Sequence, residues 1–120
     1  MLTIFSIPKA FKGHMDVIQR NAIESWKRLG PECEVILIGD DPGTAEVAEE
    51  LGVQNIPHVE RNEFGTPLLD SAYQLAEDAA RNTYLCYVNA DIILTSSLIH
   101  AFQRVRQQSD RFLMTARRWD

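Results

Sequence analysis

The sequence predicts an α/β domain: a mostly parallel sheet with helices on both faces. Three observations predict it. Short apolar runs alternate with segments whose apolar residues recur every three or four positions. Such strand–helix alternation builds parallel sheets rather than sandwiches. The apolar runs also lack a polar side of their own, as expected of strands covered on both faces. A length of 120 residues fits one domain, residues 1–120, large enough to bury a core without staples.

The elements follow in order. Leu2 to Ile7 is an apolar run stopped by Pro8 and reads as a buried strand. Met15, Ile18, Ala22, Trp26 and Leu29 then fall on one helix face, and Gly30-Pro31 ends that helix. Val35 to Ile38 is a second strand, stopped by Gly39-Asp40-Asp41-Pro42, and a short helix from Thr44 to Leu51 closes at Gly52. Val53 to Val59 holds a weaker third strand interrupted by Pro57. After a polar loop from Arg61 to Gly65, Thr66 reads as the cap and Pro67 as the first residue of a helix with the stripe Leu68, Leu69, Ala72, Leu75, Ala76 and Ala79. Thr83 to Val88 is the fourth strand. One of Thr95, Ser96 and Ser97 caps a helix carrying Leu98, Phe102 and Val105, and Arg111 to Ala116 reads as a fifth strand.

Composition narrows the function. A net charge of −5 argues against broad nucleic-acid binding, which needs a basic face. It leaves room for a nucleotide, because a metal ion and a few local cations hold a diphosphate. No run is long enough to span a membrane, and the start lacks a basic segment followed by a long apolar one. Cys33, in the turn before the second strand, and Cys86, inside an apolar run, read as free thiols of a reducing compartment. The expected location is the cytoplasm.

In a parallel sheet of this kind ligands bind at the carboxyl ends of the strands. That rule selects Pro8-Lys9, Asp40-Asp41, the loop from Arg61 to Thr66, and Asn89-Ala90-Asp91. The loop after the first strand carries neither G-x-G-x-x-G nor a P-loop. His14, His58 and His100 lack metal-ligand spacing. The sharpest feature is Asn89-Ala90-Asp91, a polar break within Tyr87 to Leu94. A carboxylate beside a core strand is costly unless paired or bound to a metal. One carboxylate with diphosphate oxygens suits Mg²⁺ or Mn²⁺; the competing reading is an Asx-type turn. Asp41, before Pro42, reads first as a helix cap. Lys9 and Arg61 are candidate diphosphate partners, and the N–H groups at Gly65-Thr66 suit an anion if a helix starts there.

The segment Asn89-Ala90-Asp91 resembles the D-x-D element of GT-A-fold glycosyltransferases, with Asn89 in place of the first acid. The likeness extends over most of the chain. The opening strand resembles that family's first nucleotide-contacting strand, and Gly39-Asp40-Asp41 sits where its second strand ends. Phe112 to Thr115, with Arg117-Arg118-Trp119, resembles the strand after the D-x-D helix. The resemblance implies a Rossmann-like, GT-A-like fold that binds a nucleoside diphosphate sugar with Mn²⁺ or Mg²⁺. It implies Asp91 as metal ligand, Asn89 as a neutral metal ligand or a ribose contact, and Asp40 as acceptor for base or ribose. Ile7, Pro8, Lys9 and Thr66 complete the expected nucleotide contacts. The chain would correspond to the donor half of such a transferase, without the acceptor half. Transfer by that half alone is then expected to be slow, and its uncovered edge to be filled by a homodimer or a completing partner. Two other readings stand beside this one. A nucleotidyltransferase would carry a glycine-rich basic loop after the first strand, and this loop is glycine-poor. A non-catalytic flavodoxin-like interaction domain of receiver type would carry a late lysine, and none occurs after Lys27.

Overall fold

Five successive residues of the first apolar run, Leu2–Ser6, form strand β1 and are buried without exception. A strand with no exposed residue needs a neighbour on each edge and a layer on each face. Both conditions hold in the computed structural model, which describes residues 2–109 and 111–115. The remaining elements are α1 (Gly13–Lys27), β2 (Cys33–Ile38), α2 (Thr44–Leu51), β3 (Gln54–Ile56), α3 (Leu69–Ala79), β4 (Tyr84–Tyr87) and α4 (Ser96–Gln108). The four strands form one sheet in the order β3-β2-β1-β4, and every pairing is parallel. The expected α/β architecture is therefore present.

Side chains alternate across this sheet with the two-residue period of strands. Leu2, Ile4, Val35 and Leu37 join Ala22, Ile23 and Trp26 of α1, Val47 and Ala48 of α2, and Phe102 of α4 in one core. Phe5, Ile36 and Ile38 meet Ala72 and Ala76 of α3 in a second core on the opposite face. Right-handed crossovers account for the division. The chain winds from β1 through β2 to β3 with α1 and α2 on one side, then crosses back past β1 with α3 on the other.

Several boundaries differ from expectation. Cys33 is the first residue of β2 rather than part of a turn. The third strand has three residues, ending just before Pro57, which has no N–H for a ladder. The short helix starts at Thr44 behind Gly43, with no side-chain cap, so Asp41 does not cap it; instead the Asp41 carbonyl accepts the Thr44 N–H and hydroxyl. Thr66 and Pro67 are not in α3. Pro67 pairs with Arg61 in an antiparallel bridge, and α3 begins two residues later at Leu69. Thr95 stands at the N-terminal boundary of α4 but gives no side-chain cap.

The expected fifth strand is absent among the described residues. Phe112 and Met114 pack on the first core, Phe112 stacks on Tyr84 at 5.3 Å, and Leu113 is exposed. The in–out alternation of a strand is thus present from 112 to 115, but no ladder joins it to the sheet. Residues 116–120, which include Arg117, Arg118 and Trp119, lie outside the described residues.

The loop after β1 is docked on the loop after β2. The Phe11 N–H donates to the Pro42 carbonyl at 2.8 Å, and Phe11 packs directly over Gly43. Gly43 has a φ of +91°, and a Cβ there would stand 2.7 Å from the Phe11 Cβ. Gly43→Ala should therefore lower the unfolding free energy by about 1–3 kcal/mol. Urea denaturation measures this, and an unchanged midpoint would show that the two loops yield freely.

Candidate functional site at the carboxyl ends of β1 and β4

Strands β1 and β4 run in register, Leu2 beside Tyr84 and Phe5 beside Tyr87, so their carboxyl ends open side by side. The chain leaves β1 toward β2 and reaches β4 only after crossing back. The point between them is where the winding reverses, the place at which open α/β sheets leave a crevice. A cleft of about 220 Å³ lies there. Ile7, Lys9, Met15 and Gln19 line one wall, and Tyr87, Asn89, Ala90 and Asp91 the other.

Ile7, Lys9, Asn89 and Asp91, separated in sequence by up to 84 positions, thus share one cleft. Pro8 is buried between two of them and does not line it. Asp40 lies in an adjoining hollow of about 350 Å³ with His58, Glu60, Arg61 and Ser71. Gly39 stands between Ile7 of the cleft and Arg61 of the hollow: a Cβ there would approach Ile7 at 3.8 Å and Arg61 Nη2 at 3.9 Å. Thr66 lines neither.

The polar break after β4 is a backbone turn. The Ile92 N–H donates to the Asn89 carbonyl at 3.1 Å, which leaves both side chains out of the turn's own hydrogen bond. Asn89 is exposed and accepts the Tyr87 hydroxyl at 3.2 Å; burial, and then Tyr73, push the Tyr87 phenol above its usual pKa, so it keeps the proton it donates. Asp91 is half-buried, and its Oδ1 is shut away from solvent. Lys9 is exposed and supplies the cleft with positive charge.

Two expected anion contacts are corrected. Arg61 is engaged by the loop after β2: its Nη2 lies 2.8 Å from Asp40 Oδ1 and 3.3 Å from Asp41 Oδ1, while Nη1 donates to the Gly65 carbonyl. It clasps two carboxyl-edge loops and is already paired with two carboxylates. The N–H groups at Gly65-Thr66 open no helix. Asn62 Oδ1 takes the Thr66 N–H at 3.0 Å, and the Asn62 carbonyl takes the Gly65 N–H at 3.0 Å. An asparagine-organised loop has consumed the donors that a helix start would have offered.

Sequence reading missed the residues that build the walls. Gln19 is 1% exposed on the buried face of α1; its Oε1 accepts the Lys9 N–H at 2.8 Å and its Nε2 donates to the Lys9 carbonyl at 2.9 Å. Two turns further along, the Ser25 hydroxyl accepts the Leu94 N–H, and the Trp26 indole N–H donates to the Ile92 carbonyl at 2.8 Å. One helix therefore holds both walls. The signal was available: Gln19 sits four residues after Met15 and three before Ala22, which places an amide within the apolar stripe.

A divalent cation would find oxygen donors here. The described residues hold no group of three or more His, Cys, Asp or Glu side chains suited to a metal. Asp91 and Asn89 offer one carboxylate and one carboxamide oxygen, a set that fits an ion completed by phosphate oxygens and water rather than by protein alone. No described helix is long and apolar enough to cross a membrane.

Trp26→Phe keeps the ring in the core but leaves the Ile92 carbonyl without the indole donor. It should cost about 1–3 kcal/mol of stability. Chemical denaturation reads the loss, and wild-type stability in the variant would show that the Trp26–Ile92 bond is dispensable.

No protein-family model matches the chain, and no curated protein matches it.

Proposed function

We propose that this chain binds a nucleoside diphosphate sugar together with Mn²⁺ or Mg²⁺, as the donor-binding part of a GT-A-like glycosyltransferase. The observation that carries the reading is the gathering of Ile7, Lys9, Asn89 and Asp91 in one cleft at the point where the sheet's winding reverses. Asp91, with Asn89 beside it, would hold the cation. Lys9 sits across the cleft, where its charge favours a diphosphate over a neutral ligand. Asp40, in the adjoining hollow, remains the candidate acceptor for ribose or base hydroxyls, at the cost of loosening its pair with Arg61.

A bound cation would supply neutralisation of the charge that develops on a leaving diphosphate. The chain's own residues do the rest of the donor's work. Asp91 and Lys9 orient opposite charges of the ligand from opposite walls, and the tethered turn after β4 keeps the carboxylate from relaxing away. Lys9 and Asn89 are exposed to solvent, so sealing the reacting atoms from water would need an acceptor or a further partner.

A nucleoside diphosphate with Mn²⁺ should stabilise the fold more than either alone, by about 2.7 kcal/mol at 100 times the dissociation constant. Thermal melts with UDP and with GDP test this, and no shift with either would overturn the donor-site reading. Asp91→Asn should remove the metal-dependent part of the shift while the protein stays folded. If that variant unfolds instead, the carboxylate is structural.

A further inference from the structure

The two walls of the cleft do not touch the sheet alone; each is tied to α1. On the β1 side, Gln19 takes both the N–H and the carbonyl of Lys9, at 2.8 and 2.9 Å. On the β4 side, Ser25 and Trp26 hold Leu94 N–H and the Ile92 carbonyl. The orientation of the Gln19 amide is fixed by its partners, since a backbone N–H must meet the oxygen and a carbonyl the nitrogen. Burying an amide this fully is tolerable only because both ends are satisfied. A side chain needed only to fill the core at this position would be better served by Met or Leu. The amide secures a turn of backbone that carries Lys9 into the cleft, and Gln19 itself lines that cleft.

We propose that Gln19 is a positioning residue of the ligand site: it fixes the Lys9 backbone on the helix that also holds Ile92 and Leu94, directly after the Asn89–Asp91 turn, and so sets the spacing between the Lys9 cation and the Asp91 carboxylate that line the same cleft. This inference rests on the reading that the cleft takes a nucleoside diphosphate. The cost of losing it falls on binding more than on folding, because Lys9 is exposed and its loop keeps the separate Phe11–Pro42 hydrogen bond.

Calorimetric titration with UDP and GDP in the presence of Mn²⁺ tests it on three proteins besides the wild type. Gln19→Met keeps the volume and removes both hydrogen bonds. Gln19→Glu keeps the acceptor for the Lys9 N–H and guards against a failure of the first variant to fold. Val47→Ala trims the core in α2, which does not line the cleft, and serves as a control for destabilisation alone. We expect at least a tenfold weaker affinity in Gln19→Met, an intermediate affinity in Gln19→Glu, and wild-type affinity in Val47→Ala, all read below the melting temperatures of the variants. Wild-type affinity in Gln19→Met would overturn the inference and leave the proposed function standing. Equal losses in Gln19→Met and Val47→Ala would overturn it as well, since stability alone would then explain the effect. A wild-type chain that binds neither nucleotide would overturn the donor-site reading, and the inference with it.

Discussion

Parallel pairing of β1 with a neighbour on each side constrains everything else in this molecule. A strand buried along its whole length is stable only inside a layered sheet, and parallel neighbours on both edges oblige the chain to wind outward, return, and wind the other way. The return throws α3 onto the opposite face and leaves the carboxyl ends of β1 and β4 with diverging loops. The cleft is the consequence of that divergence. Its polar lining is then secured by α1, whose buried face carries Gln19 and Ser25 among Ala22, Ile23 and Trp26.

The fold was legible where a single periodicity governed a segment. Leu2–Ser6, the stripe of α1 and the glycine-closed helix Thr44–Leu51 all stand where the pattern places them. Reading failed where a side chain competed with the backbone. Thr66-Pro67 has the form of a helix start, but Asn62 captures the Thr66 N–H and Pro67 joins Arg61 in a bridge, so the helix waits until Leu69. Asp41 has the form of a cap, but Arg61 draws its carboxylate across to another loop. Residues 112–115 show strand alternation, yet a strand also needs a partner, which alternation cannot reveal.

The candidate site was legible in part for the same reason. The rule that ligands gather at carboxyl ends selected Lys9, Asn89 and Asp91 from the order of elements, the family resemblance added Ile7, and all four line the cleft. It could not separate the loops along that edge from one another. Asp40 falls into the neighbouring hollow, and Arg61, read as an available cation, is held by Asp40, Asp41 and the Gly65 carbonyl. Charge partners twenty residues apart in sequence leave no periodic trace. Gln19 left one, as a polar residue at helical spacing within an apolar stripe.

The central claim is that the cleft between β1 and β4 is a nucleoside diphosphate site completed by a divalent cation. Mapping backbone amide shifts by NMR while titrating Mg²⁺ with UDP or GDP tests it most directly. The account predicts that the largest shifts fall on Lys9, Asn89, Ala90 and Asp91, and that they shrink when Mg²⁺ is withheld. Shifts gathered on another surface, or none at these four residues with either nucleotide, would contradict it.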